Sequence, residues 1–133
     1  MKVLKRIGLV ILSLPIFLIV FFILYEIFGM CVNHMTTRHQ TDQLQANLEK
    51  EISDFKIVEV YSETGNTSGT GNHVDCLSAI TFSTEMQDME IKNSMSKYYH
   101  FDEWDCFVTK TEDGNYLFYL NTSAPFRDNI EGH

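Results

Sequence analysis

Hydrophobicity along this 133-residue chain changes its period twice. From Ile7 to Tyr25, nineteen consecutive residues carry no formal charge, and most are Leu, Ile, Val or Phe. As a helix rising about 1.5 Å per residue, that run reaches about 28 Å, close to a bilayer hydrocarbon core of roughly 30 Å. Ile27 to Val32 add apolar length beyond the lone Glu26. The pattern predicts a transmembrane anchor over residues 7–30, with Pro15 at mid-span, where membrane helices tolerate it. Residues 33–41 are polar. Then Leu44, Leu48, Ile52 and Phe55 recur at spacings of four, four and three, one narrow stripe on a helix over residues 41–54 that Thr41 or Asp42 would cap. The stripe is too short for a sustained coiled coil and is expected to lie on a following sheet.

Beyond residue 55 the period shortens. β-Branched residues predict a strand over residues 56–62, and Gly, Asn, Ser and Thr mark 63–72 as a loop. In a second strand, over 74–83, Val74, Cys76, Ile80 and Phe82 share one face with Ser78 among them. Residues 84–98 read as a helix capped by Thr84, with Met86, Met89 and Ile91 on or near its inner face. Asp113-Gly114 predicts the turn of a hairpin joining strands 105–111 and 116–122. Residues 123–133 read as an irregular end. Most of Phe55, Phe82, Trp104, Phe107, Tyr116, Phe118 and Tyr119 are expected to serve packing. The expected architecture is α+β: an N-terminal transmembrane helix, then a four-stranded antiparallel sheet with helices on one face, in the order helix-β-β-helix-β-β. The chain divides into a basic tail at 1–6, the anchor at 7–30, a juxtamembrane segment and amphipathic helix at 31–54, and a domain at 55–133.

Charge orients these parts. Lys2, Lys5 and Arg6 precede the apolar run, whereas residues 33–133 hold seven Lys/Arg against seventeen Asp/Glu, a formal charge of −10. A basic flank stays in the cytoplasm, so the acidic part is expected outside, as in a signal-anchor protein. The run exceeds the roughly 7–15 apolar residues of a cleaved signal, and Phe28-Gly29-Met30 supplies no small-residue cleavage site. Phe28 and Met30 also fail the small residues that a lipoprotein signal requires before Cys31. Glu26 falls where a carboxylate reaches interfacial water. The acidic outer part repels phosphate backbones, and no nucleic acid is expected as a partner.

The candidate chemistry is sparse. Residues 60–67, Val-Tyr-Ser-Glu-Thr-Gly-Asn-Thr, resemble the phosphate-binding loop of flavodoxins. That resemblance implies FMN at a helix N-terminus. Here the loop runs on through Ser68-Gly69-Thr70-Gly71-Asn72, and too few residues follow for a doubly wound parallel sheet, so no cofactor is expected. No Gly-Lys-Ser/Thr closes a Walker motif. A ten-residue connection is nevertheless long for a hairpin, and long loops carry function. The candidate ligand-binding residues are therefore Thr64, Gly65, Asn66, Thr67, Gly69, Gly71, Asn72, His73 and Asp75. Cys76 and Cys106, on strands two and three, are candidates for a disulfide, with free buried thiols as the alternative. Cys31 lies at the membrane edge, and no Cys-x-x-Cys is present. His34 and His39, five apart, point some 140° away from each other on a helix and do not chelate a common metal easily. His100 lies near Asp102, Glu103 and Asp105, a grouping more often a solvated loop than a metal or acid–base site. No catalytic residue or metal set is assigned. Asn66-Thr67-Ser68 and Asn121-Thr122-Ser123 match the N-glycosylation pattern, which matters only in a eukaryotic secretory pathway.

Residues 61–76 and 123–133 together resemble segments of small membrane-anchored proteins of Gram-positive bacteria. The resemblance implies a cell-surface location and no activity, and it carries over no functional residue. The expected function is a non-enzymatic binding or accessory module at the cell surface, held to the membrane by residues 7–30 and engaging a protein partner. The alternative is a ligand-, metal- or cofactor-binding module, enzymatic or not, that uses the 63–73 loop.

Overall fold

A computed structural model describes residues 2–133, with side chains from Ser13 onward. The basic flank of Lys2, Lys5 and Arg6 and the start of the apolar run lie outside the described side chains. The first element, α1, is a single helix from Lys2 to Glu51. At 1.5 Å per residue its 50 residues span roughly 75 Å. Its segment from Ser13 onward is long and apolar enough to cross a membrane, and the side chains from Leu14 to Leu24 lie bare.

The polar stretch 33–41, left outside the helix that the sequence predicts over 41–54, is helix throughout. The reason lies in what faces the sheet. Gly29, Asn33, Thr37, Thr41, Leu44, Leu48 and Ile52 form one buried stripe, small or polar at its lower half and aliphatic at its upper half. The lower half meets the sheet through hydrogen bonds. Thr41 is therefore no cap. Its hydroxyl donates to Thr37 O (2.9 Å) and lies 2.7 Å from Ser78 Oγ. Likewise Thr37 Oγ1 lies 3.1 Å from Asn33 O and 2.7 Å from Thr64 Oγ1. Gln40 donates to Cys76 O at 2.9 Å and to Ser78 Oγ at 3.0 Å. Helix propensity alone would not favour threonine here, but these partners satisfy its hydroxyls inside the fold. After Glu51 the chain reverses through Asp54, which adopts a left-handed conformation (φ 54°).

Four strands follow: β1 (Lys56–Gly65), β2 (Asp75–Ser83), β3 (Cys106–Lys110) and β4 (Tyr116–Ser123), with α2 (Asp88–Met95) between β2 and β3. All neighbours are antiparallel, in the order β1-β2-β4-β3. The helix-β-β-helix-β-β order and the single antiparallel sheet agree with the sequence reading. Ile80, Phe82, Val108, Tyr116, Phe118 and Leu120 point from the sheet into the core and meet Leu44, Leu48, Ile52, Ile91 and Met95. Tyr99 and Phe101 pack edgewise and tilted on Phe118, with ring centroids 5.4 Å and 5.6 Å away.

Helix α2 is shorter than residues 84–98. Gln87 caps it in a reciprocal box with Glu90, while Thr84 donates to Ser53 O (2.7 Å) and accepts from Met86 N. Met89 faces solvent, because Ile91 and Met95, four apart, already define the buried face. Trp104 likewise does not serve packing and is 79% exposed. Phe107 and Tyr119 stack at 4.7 Å on the opposite side of the sheet from the helices. The β3–β4 turn does use Gly114, at φ 84°.

The irregular end forms one more layer. Val74 N donates to Arg127 O, Ala124 N donates to Val74 O, and a short 3₁₀ turn covers Ile130–Gly132. Phe126 packs edgewise on Tyr25 and Phe28, with centroids 5.8 Å and 5.7 Å apart. Glu26 is engaged rather than left to water: Oε2 accepts from Asn129 Nδ2 (2.8 Å) and Ile130 N (3.0 Å). The sheet domain is thus fastened to α1 at both ends, through Ile52 above and Glu26 below.

Candidate functional site

Strand β1 runs back along α1, so that Thr64 meets Thr37 and the 66–74 loop lies at the end of the sheet nearest the apolar span. Thr64 is turned to the helix, and Gly65 is buried at the strand end, where its carbonyl accepts Thr67 N. Asn66 Nδ2 donates to Gly71 O (2.6 Å), which folds the loop on itself. Gly69 (φ 67°) and Gly71 (φ 71°) hold left-handed conformations that suit glycine. Asn72 is exposed. Thr67 donates to Asn121 Oδ1 at 2.8 Å.

The remaining candidates, His73 and Asp75, meet Asp105, Asn121, Thr122 and Ser68 around a hollow of about 150 Å³. Ser68, His73 and Asp75 have the composition of a hydrolytic triad but not its wiring. Ser68 Oγ and Asp75 Oδ1 both lie 3.2 Å from the same imidazole nitrogen, Nε2. A relay needs the carboxylate on one ring nitrogen and the hydroxyl on the other, so that the base takes the nucleophile's proton while held in one tautomer. Asp75 also accepts Ser68 N at 3.2 Å, which makes it a brace for the loop backbone. Among the described residues, no group of three His, Cys, Asp or Glu side chains is placed to hold a metal ion. The cluster around His100 resolves in the same way. Asp102 Oδ1 accepts Trp104 N, Asp105 N and Cys106 N at 2.6–3.0 Å, and these bonds hold its carboxyl below the usual range. Strand β1 leads into an antiparallel strand rather than a helix, so the flavodoxin-like segment lacks the helix N-terminus that its phosphate chemistry requires.

The suggested Cys76–Cys106 bridge does not form. Cys76 lies on β2 and Cys106 on β3, with β4 between them, and both are free. Two strand spacings of about 4.8 Å exceed the roughly 4.4–6.8 Å that a disulfide spans between Cα atoms. Burial pushes the Cys106 thiol up to about 11 and raises that of Cys76 as well. Cys31 is exposed. In the native chain, a polar maleimide is expected to label Cys31 alone, with Cys76 and Cys106 reacting only in denaturant. Mass spectrometry of unreduced protein would show three alkylated thiols after unfolding, and two missing labels would restore the bridge.

A second surface was not assigned from sequence. Strand β1 forms one edge of the sheet, and every residue from Lys56 to Glu63 is exposed. Ile57, Val58, Val60 and Tyr61 are each 41–56% exposed. Beside this edge a groove of about 640 Å³ separates β1 from α1, lined by Cys31, His34, Met35, Arg38, Ser62 and Thr64. The local pattern at Ile57, Val58, Val60 and Tyr61 pointed away from an edge. Apolar residues at both parities suit a strand buried on two faces, yet this strand follows the connection from α1 and ends up at the border.

The chain matches no protein-family model, no curated protein and no solved structure.

Proposed function

We propose that the chain is a single-pass membrane protein that presents a small, non-enzymatic binding module outside the cytoplasm to a protein partner. The uncovered β1 edge carries this reading. Soluble sheets protect their edges by cover, shortness or charge, because an unpaired strand invites another chain. Here residues 56–63 are all exposed, with Ile57 and Val60 on the helix side and Val58 and Tyr61 also bare. Two further observations support the reading. The bare apolar surface of α1 suits lipid, and the basic flank favours an outward domain. Docking of Phe126 and Asn129 onto Tyr25, Glu26 and Phe28 also makes the end of the apolar run part of the fold, as an uncleaved anchor requires. From the resemblance of residues 61–76 and 123–133, we further propose a Gram-positive cell surface as its location.

A photoreactive amino acid at Val60 is expected to crosslink a specific protein in intact cells, whereas the same residue at Asn93, on α2, is expected to trap none. A cytoplasm-dependent reporter fused after His133 should be silent. No adduct at Val60, or an active reporter, would count against the reading.

A further inference from the structure

Resting on that reading, we propose that the β1 edge binds by strand addition, taking an extended partner segment in which apolar residues alternate with lysine or arginine. Register assigns the two sides. Val60 pairs with Ile80 and Ser62 with Ser78, so both face α1, whereas Glu59, Tyr61 and Glu63 face the other way, with Thr81, Ala79 and Leu77. A strand laid against β1 meets two different walls. On the helix side it finds Val60, Ile57 and the groove beneath Met35, which is 72% exposed. On the open side it finds a carboxylate, an aromatic ring and a second carboxylate, spaced two residues apart. Opposite charges across a strand pair attract, and a tyrosine face accepts a cation. Backbone pairing supplies affinity in such complexes, and alternate side chains supply specificity. The irregularity between Ile57 and Glu59 ends the regular ladder above, which leaves about six residues, from Glu59 to Thr64, to pair.

Topology argues against a second copy as the occupant. An isologous pair joins identical edges about a two-fold axis, and two β1 edges joined in this way run antiparallel. In copies anchored in one membrane, both β1 strands point toward the bilayer. Antiparallel pairing about Tyr61 would also oppose Glu59 to Glu63 of the other chain, and like charges directly opposite repel.

The full chain in lipid nanodiscs would be titrated with an array of acetylated, amidated decapeptides alternating Val, Ile or Tyr with Lys or Arg, read by fluorescence anisotropy. Binding is expected for a subset of the array. The double variant Glu59→Lys, Glu63→Lys, whose residues are exposed, is expected to weaken it by about tenfold or more with an unchanged melting temperature. N-methylating alternate backbone amides of a bound peptide should abolish binding in one parity and spare it in the other, since only one set faces β1. No binding across the array, equal binding of control peptides carrying Glu in place of each Lys or Arg, or tolerance of N-methylation in both parities would overturn the proposal. If Val60 still traps a foreign protein in cells, the binding-module reading survives and strand addition alone falls. A crosslinked homodimer at Val60 overturns the choice of partner.

Discussion

Replacing Asn33 by leucine is expected to cost about 2–4 kcal/mol and to lower the melting temperature by about 10–20 °C. Asn33 is fully buried. Its Nδ2 donates to Phe126 O at 3.0 Å and its Oδ1 accepts Phe126 N at 2.9 Å, so that one side chain pairs with both backbone groups of one residue. Leucine keeps the branched outline, with bulkier methyl groups, and removes both hydrogen bonds. Phe126 N would then lie against the helix without its partner, and Phe126 O would keep only the 3.3 Å bond from Asn129 N; a buried group left unpaired costs about 1–3 kcal/mol. Because Phe126 carries the ring set between Tyr25 and Phe28, the tail should loosen with it. Circular dichroism melts and limited proteolysis of residues 124–133 check both parts. A leucine variant that melts with the native chain would refute the argument.

Phe118→Ala is expected to cost about 3–5 kcal/mol. Phe118 is wholly buried on β4, between Ile80 of β2 and Val108 of β3, with Tyr99 and Phe101 closing over its ring. Small domains hold about 5–15 kcal/mol in all, so this one change removes a large share. Chemical denaturation of the full chain should show a much lower midpoint with an unchanged slope. Trp104→Ala, on an exposed ring, should shift stability by no more than about 0.5 kcal/mol.

These two positions also show what a sequence discloses. Phe118 lies in an alternating strand beside a clear hairpin turn, and its side of the sheet follows from parity alone. Asn33 was invisible for the opposite reason. In a polar stretch, periodicity of hydrophobic residues has nothing to count, and the buried Asn33, Thr37 and Thr41 continue the stripe of Leu44 and Leu48 with hydroxyls and an amide. Their partners, Phe126, Thr64 and Ser78, lie 27–93 residues away, beyond any local pattern. Glu26 was hidden in the same way, since its task depends on a tail more than a hundred residues later. The 66–74 loop was legible as a loop, and Gly69 and Gly71 explain its composition. Its histidine and carboxylate come together as expected for neighbours, but the shared nitrogen that bars a relay is a matter of side-chain angle. The β1 edge was hidden because strand order is a tertiary fact: nothing within residues 56–65 says which strands they border.

Helix α1 has one further consequence. It passes from the apolar span into the domain without a joint, and the tail locks it at Glu26. The proposed docking edge therefore has a set reach. Met35 stands about 15 Å along the helix from Tyr25. In a bilayer, a partner segment would have to present itself within that height, close to the lipid surface, and a partner itself held at the membrane would search in two dimensions rather than three. Confinement of this kind raises effective concentration, so even a short strand pairing that is weak in solution would hold at the membrane.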